Sequence, residues 1–191
     1  AADSLRSPLM PDVRPLPTPM SYTCGICKKQ HPNLPTDVAF GRPDPVLDLP
    51  PAHRQGRVKE SDDLCAIDGQ VFFLRGLLML PSVSEPPEYF GWGVWAHVSS
   101  EAFYRYVALW SSDGSAEPPF SANLASRIPG YPPTLGLPCH VQLRSPSERP
   151  AFTMVQPDHP LFHEQAQGIT HARWHSLLQV ALPSLFTDSA A

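Results

Sequence analysis

Two cysteines near the start of the chain have the residue type and spacing best suited to chemistry. Cys24 and Cys27 are separated by two residues, and His31 follows the second cysteine by four positions. A C-x2-C turn directs two thiolates toward one point, where backbone N–H groups also face the sulfurs. A nearby imidazole then supplies a third ligand, so this combination predicts a Zn2+ site.

A closed structural zinc site needs a fourth ligand. We expect Cys65 to provide it, because a thiolate matches the preferred ligand set and the strand containing Cys65 can return beneath the turn. His53, Cys139 and His140 are the alternatives for this position. The predicted ligands of the structural zinc are therefore Cys24, Cys27, His31 and Cys65.

The sequence contains no complete catalytic motif. His163-Glu164 is similar to the start of the zinc-protease helix motif, but Gln167 stands where the second histidine ligand is required. Cys139 and His140 are neighbours in a predicted strand, so their side chains point to opposite faces and cannot act together there. A structural zinc is therefore favoured over a catalytic one, which needs an open coordination position and a general base.

Four histidines near the end of the chain lie at i, i+4 spacing, His159 with His163 and His171 with His175. On a helix this spacing places each pair on one face. We interpret them as surface or helix-capping groups, with a second metal site as the alternative.

Composition excludes several classes of function. The 191 residues carry a net charge of −4, and the longest basic run is Lys28-Lys29, so we expect no nucleic-acid partner. The sequence has no apolar stretch near the length that crosses a membrane and no signal sequence at its start, so no membrane association is expected. Four cysteines, two of them in a C-x2-C pair, favour a reducing compartment, by default the cytoplasm.

Proline content sets the expected domain organisation. The chain has 25 prolines, which lack an N–H and therefore favour loops and element boundaries. We expect a disordered leader or added segment at 1–19, a single zinc-knuckle domain at 20–186 and a disordered tail at 187–191. Within that domain, the region from 32 to about 57 reads as a long extended loop.

Hydrophobic periodicity predicts the remaining elements. Alternating patterns indicate strands near 61–67, 71–80, 90–98, 139–143 and 152–155, with Asp68-Gly69 as a hairpin turn. Ser99 or Ser100 is expected to cap a helix in which Phe103, Val107 and Trp110 recur at helical spacing. A second helical region at about 160–182 is jointed at Gly168. The predicted fold is α+β, with an antiparallel sheet of about four to six strands, two main helices and a proline-rich zinc-knuckle segment at the N-terminal end.

The strand at 90–98 carries an aromatic cluster. Its alternation places Phe90, Trp92 and Val94 on one face, and Trp95 and His97 on the other. We interpret the cluster as core packing rather than a peptide groove, with Trp95 as the more exposed tryptophan. Arg75 interrupts the preceding apolar strand and is expected to reach an edge or to pair with a nearby aspartate.

A series of short motifs follows a distinctive order along the chain. The motifs are Cys24-x2-Cys27-x3-His31, Ser61-Asp62-Asp63-Leu64-Cys65, Phe73-Leu74-Arg75-Gly76, Trp92-Gly93-Val94-Trp95, Tyr131-Pro132, Arg149-Pro150 and His159-Pro160-Leu161. Their order resembles an uncharacterised bacterial family, the domain of unknown function 2199, over nearly everything from Tyr22 to the final helix. The resemblance implies that the zinc knuckle, Cys65 and the Trp-Gly-x-Trp strand are family features, and it implies no established activity.

Together these observations favour a zinc-stabilised, non-catalytic binding protein of a bacterial cytoplasm. Another protein is the expected partner, and a neutraliser or immunity-type role is one version of this function. The alternative is a hydrolytic enzyme that uses a metal or a cysteine–histidine pair, since such a pair can meet in space without being close in sequence.

Overall fold

The structure, a computed structural model, describes residues 22–23, 28, 30–31, 35–83 and 89–186. The chain divides into two units, residues 1–34 and 35–191, and each is described by itself. In the first unit, strands β1 (Tyr22–Thr23) and β2 (Gln30–His31) pair antiparallel. The leader predicted at 1–19 and the tail predicted at 187–191 lie outside the described residues.

The described part of the second unit contains one eight-stranded sheet and five α-helices. The strands are β3 (Asp37–Ala39), β4 (Val58–Glu60), β5 (Leu64–Ile67), β6 (Val71–Pro81), β7 (Tyr89–Val98), β8 (Phe120–Leu124), β9 (Pro138–Gln142) and β10 (Ala151–Met154). The helices are α1 (Asp44–Leu47), α2 (Pro51–Arg54), α3 (Ser100–Ala108), α4 (Pro160–Gln167) and α5 (His171–Ala181), followed by a 3-10 turn at Pro183–Leu185.

The predicted hairpin of β5 and β6 is confirmed. Its turn residues Asp68 and Gly69 have φ values of 54° and 64°, and two-residue hairpin turns of type I′ require positive φ at both positions. Aspartate and glycine tolerate this left-handed conformation better than other residues. Arg57 adds an ion pair to Asp68 at 2.7 Å, which ties β4 to the same turn.

The sheet closes on itself, which corrects the open antiparallel sheet expected from the sequence. Strands β6, β7, β8, β9 and β10 are hydrogen-bonded in that order, and β10 returns to β6 through a parallel pairing of Ala151 with Leu77. These five strands form a barrel. Strand β3 also pairs parallel, alongside β7, so the sheet is mixed rather than purely antiparallel. Strands β5 and β4 extend from the other half of the β6 edge.

Alternate residues of the barrel strands fill its interior, because successive side chains on a strand point to opposite faces. On β6 and β7 the inward set includes Leu74, Leu78, Trp92 and Val94, which are fully buried. The predicted alternation of β7 is therefore confirmed. The predicted exposure of Trp95 is wrong, because a second apolar cluster covers it on the outer face of the barrel.

Helices pack at the two ends of the β6–β7 pair. Ser99 caps α3 by accepting a hydrogen bond from the Ala102 N–H at 3.1 Å, as predicted, and Phe103 lies 4.8 Å from Phe72 at one end. Trp174 of α5 lies 5.6 Å from Phe90 at the other end. The predicted joint between the last two helices is confirmed at Gly168, whose φ is 84°.

Candidate functional site

A groove of about 550 Å3 crosses the outer face of the barrel. It is lined by strands β3, β6 and β7, by the segment that ends α3, and by the loop at 144–149 between β9 and β10. We refer to it as the outer groove. With Asp63, which directly precedes β5, its lining comes from six separate stretches of the chain, which explains why no local motif identified it.

The floor of the outer groove is apolar because β7 carries two glycines there. Gly93 lies opposite Leu77 of β6 and Ala39 of β3. A Cβ on Gly93 would lie 3.1 Å from the Ala39 Cβ, and one on Gly91 would lie 2.9 Å from Leu77 Cδ1. The glycines therefore leave room for neighbouring side chains to pack over the backbone of β7. Larger residues at these positions would make the groove shallower.

Two ion pairs fix the polar rim of the outer groove. Arg149 donates from Nε to Asp63 Oδ1 at 2.5 Å, which joins the start of β10 to the start of β5. Within the loop, Arg144 pairs with Glu148 four residues later. Each arginine is held by one carboxylate, so both guanidinium planes are positioned before any ligand arrives.

The half-buried phenol of Tyr106 and the guanidinium of Arg75 lie beside the Arg149–Asp63 pair. Burial, with a smaller contribution from Asp63, raises the pKa of Tyr106 to about 12, so its hydroxyl stays protonated near neutral pH. Arg75 donates to the Asp62 carbonyl at 3.2 Å, and burial followed by the charge of Arg149 lowers its pKa. The predicted pairing of Arg75 with an aspartate is therefore made through backbone oxygen.

Aromatic side chains line the groove where α3 ends. The rings of Tyr106 and Trp110 lie 5.5 Å apart in an edge-on arrangement, and Trp110 is 46% exposed. Val107 is also exposed, so of the three apolar residues predicted at helical spacing only Phe103 is buried. The aromatic residues at the end of this helix were the sequence signal for the groove, but helical spacing alone does not show which of them are exposed.

The second apolar cluster contains Cys65, a predicted zinc ligand. Cys65 is 1% exposed and packs in a cluster with Phe73, Trp95 and Val46. Its thiol is free, and burial raises its pKa to about 11. In the metal-free protein this side chain is a protonated thiol near neutral pH, and a bound zinc would displace that proton.

The rest of the predicted zinc site falls largely outside the described residues. Cys24 and Cys27 lie outside them, and of His31 only the backbone in β2 is described. Within the described part of the chain, no three His, Cys, Asp or Glu side chains are grouped to hold a metal ion. The zinc site accordingly stays a prediction.

The three alternatives for the fourth zinc ligand lie in different environments. His53 is exposed on α2. Cys139 is buried in the barrel and His140 is exposed on its outer face, which confirms that these neighbours point in opposite directions. Burial raises the pKa of Cys139 to about 12.

The C-terminal histidines occupy three different environments. His159 caps α4, accepting from the Leu161 N–H at 3.2 Å, and His163 and His171 are exposed. These three fit the prediction of cap or surface groups. His175 does not, because it is 1% exposed and packs 4.9 Å from Phe186.

A polar network adjoins His159. Tyr131 stacks beside the imidazole and donates to Glu164, which also accepts from Arg173 Nε at 2.7 Å. The Arg173 guanidinium lies 4.9 Å from the Tyr131 ring. Burial, aided by Glu164, raises the pKa of Tyr131. The hydrogen bonds of this network attach the α4–α5 junction to the loop near 130.

Two further cavities differ in chemistry from the outer groove. One, of about 400 Å3, lies over β7, β8 and β9 and is lined by polar residues that include His97, Asn123 and His140. The other, of about 570 Å3, surrounds the Arg42–Glu60 ion pair. The outer groove is distinguished from both by its exposed tryptophan and its two positioned arginines.

In the described residues, no helix has the length and apolar character needed to span a membrane.

The fold and the site define the class of protein: a helix-capped, five-stranded barrel with an aromatic-lined groove on its outer face. The chain belongs to the family described as "Uncharacterized protein conserved in bacteria (DUF2199)", whose model matches residues 23–169. This result confirms the resemblance found from the motifs. Neither the comparison with curated proteins nor the comparison with solved structures gives a match.

Proposed function

We propose that this chain is a binding protein whose outer groove receives a segment of another polypeptide. The observation that carries the proposal is the lining of the groove. An exposed tryptophan, a tyrosine and two held arginines surround a floor made by Ala39, Gly93 and Leu77. Tryptophan, tyrosine and arginine are the residue types that contribute most to protein–protein binding energy.

The charges of the groove favour a polypeptide over a nucleic acid. Two of its arginines are already neutralised by Asp63 and Glu148, and a further carboxylate, Asp37, lies on its β3 side. A site for a phosphate backbone needs unpaired cationic groups instead. The groove therefore suits a polypeptide better than a nucleic acid, and the expectation of no nucleic-acid partner stays a prediction.

The described cysteines support binding rather than the alternative hydrolytic function. Cys65 and Cys139 are both buried, and burial raises the pKa of each thiol. A nucleophilic cysteine requires a lowered pKa and access to substrate. Neither residue lines the outer groove.

A displayed library of random linear peptides, selected against the whole chain, tests this function. We expect selected peptides to bind the wild type and to lose most of their affinity for Trp110→Ala. Tyr104→Ala is the matched control, because Tyr104 is an exposed aromatic residue of α3, the helix that precedes Trp110, and does not line the groove. Failure to select any binder, or equal binding to both variants, would contradict the proposal. Thermal unfolding of each variant confirms that it is folded.

We also propose that the first unit binds one structural zinc through Cys24, Cys27 and His31. The support is their spacing, and Cys65 stays the predicted fourth ligand. Metal analysis of the purified protein tests this directly. Zinc that is stoichiometric in the wild type and lost in both Cys24→Ser and Cys65→Ser is the expected result. Zinc retained in Cys65→Ser would exclude Cys65 as a ligand, and a metal-free wild type would contradict the site. The cytoplasmic location and the neutraliser-type role stay predictions.

A further inference from the structure

Asp37 is the charged residue of the outer groove that has no cationic partner among the described residues. Its carboxylate accepts a hydrogen bond from the neighbouring Thr36 hydroxyl at 3.3 Å. The other charged residues of the lining form the Arg149–Asp63 and Arg144–Glu148 pairs. The described lining therefore carries one unneutralised negative charge, and it lies at the β3 side.

The surroundings of Asp37 suit a cationic side chain. Asp37 pairs with Gly91 of β7, and Tyr89 lies two residues earlier on the same face of that strand. Tyr89 is 51% exposed and also lines the groove. A lysine or arginine at this point can meet a carboxylate and the face of an aromatic ring within one site.

The strand that carries Asp37 also offers backbone groups. Among the described residues, β3 is a terminal strand of the sheet. Its hydrogen bonds to β7 involve the Thr36 carbonyl and the Phe40 N–H, so the N–H and C=O groups of Asp37 and Ala39 point away from β7. An extended segment can pair with this edge and continue the sheet.

The charge of the whole chain acts in the same direction. Its net charge is −4, and a negative protein attracts basic partners over distances of about 10 Å at moderate salt. Local and overall charge therefore both favour a cationic ligand.

From these observations we propose that the occupant of the outer groove is an extended, basic segment of a partner protein. The segment pairs with the edge of β3 that no described strand covers, places a lysine or arginine against Asp37 beside Tyr89, and lays an apolar side chain over Leu77. This inference rests on the proposed function and specifies the chemistry of its ligand.

Peptides from the library selection provide the test. We expect lysine or arginine to be enriched at one position of the selected sequences. Binding should weaken about tenfold in Asp37→Asn, since a hydrogen-bonded charge pair is worth about 1.5 kcal/mol or more. Asp158→Asn is the matched control, because Asp158 is exposed and does not line the groove. In Asp37→Lys, replacement of the enriched basic residue by glutamate should restore binding.

The outcomes separate this inference from the proposed function. Peptides that depend on Trp110 but show no basic preference and bind Asp37→Asn as well as the wild type would overturn the inference and leave the groove function intact. Peptides whose binding is unchanged by substitution of either Trp110 or Asp37 would overturn both the inference and the proposed function. Failure of the glutamate peptide to recover binding to Asp37→Lys, with thermal unfolding unchanged, would also overturn the direct pairing.

Discussion

Trp95 shows what a strand pattern can and cannot establish about one residue. Alternation along β7 correctly separates Trp95 from Trp92, because side-chain direction follows from the backbone alone. Burial does not follow, since it depends on what covers the face. Here residues around α1 cover it, and the Trp95 indole N–H donates to the Phe40 carbonyl at 2.9 Å.

Replacing Trp95 by phenylalanine tests that covering contact. The variant keeps an aromatic ring but leaves the Phe40 carbonyl without its donor, so we expect a loss of about 1–3 kcal/mol in unfolding free energy. Trp110→Phe is the control, and its exposed position predicts a change within about 0.5 kcal/mol. Urea unfolding measures both, and equal effects would contradict the assignment of Trp95 to a core.

Two aspartates that bind the same arginine should differ in their contribution to stability. The Asp44 side chain is 13% exposed and accepts from both the backbone N–H and the guanidinium of Arg127. The Asp48 side chain is 53% exposed and contacts the guanidinium only. We expect Asp44→Ala to cost about 1–3 kcal/mol and Asp48→Ala about 0–1 kcal/mol. Chemical denaturation that reverses this order would contradict the structure of the α1 attachment.

At the scale of elements, the sequence predicts those with strong local signals. The Asp68-Gly69 turn, the Ser99 cap and the Gly168 joint each depend on residues that favour one backbone conformation, and all three are confirmed. Strand β8 was missed because its outward positions are Ser121 and Asn123, which have weak strand preference. Its ladder with β9 stabilises it instead.

Closure of the barrel depends on a position where a side chain cannot fit. A Cβ on Gly76 would lie 2.5 Å from Phe152 Cζ and 2.7 Å from the Pro150 carbonyl oxygen. Gly76→Ala must therefore separate β10 from β6, and we expect it to destabilise the protein by about 3 kcal/mol or to prevent folding.

Gly41→Ala is the matched control for Gly76→Ala, because a Cβ on Gly41 meets no atom within 4 Å. Differential scanning calorimetry of the two variants compares them. A Gly76→Ala protein as stable as Gly41→Ala would show that β10 does not pack against β6 in this way.

At the scale of the whole molecule, neither the closure nor the groove could be deduced from local pattern. Closure rests on a single parallel register between Ala151 and Leu77, which lie far apart in the chain. The groove likewise brings together Asp37, Trp110 and Arg149. Each of these residues has an unremarkable local context, and only the topology makes them neighbours.

Thiol and phenol groups whose pKa is raised by burial predict how the stability of the whole protein changes at alkaline pH. Burial raises the pKa of Cys65 from 9.0 to about 11 and that of Cys139 from 9.0 to about 12. Above pH 9 the unfolded chain therefore loses protons that the folded chain retains, and the free energy of unfolding must fall as pH rises from about 9 to about 12. Tyr106, raised from 10.0 to about 12, adds to this fall.

Urea unfolding across this pH range measures the dependence. We expect the decline to be shallower in Cys139→Ala than in the wild type, because one of the groups with a raised pKa has been removed. His140→Ala is the control, because His140 is adjacent to Cys139 in the sequence but its side chain is exposed. Identical slopes in the wild type and Cys139→Ala would contradict the buried thiol.

The most direct test of the account is to locate a bound peptide on the labelled protein by NMR. Titration with a selected peptide should shift the backbone amides of Asp37, Leu77 and Arg149, which line the outer groove on three different elements. The amides of His97 and His140, on the polar cavity over β7, β8 and β9, should stay unchanged. Shifts centred on those histidines, or spread evenly over the barrel, would contradict a binding site in the outer groove.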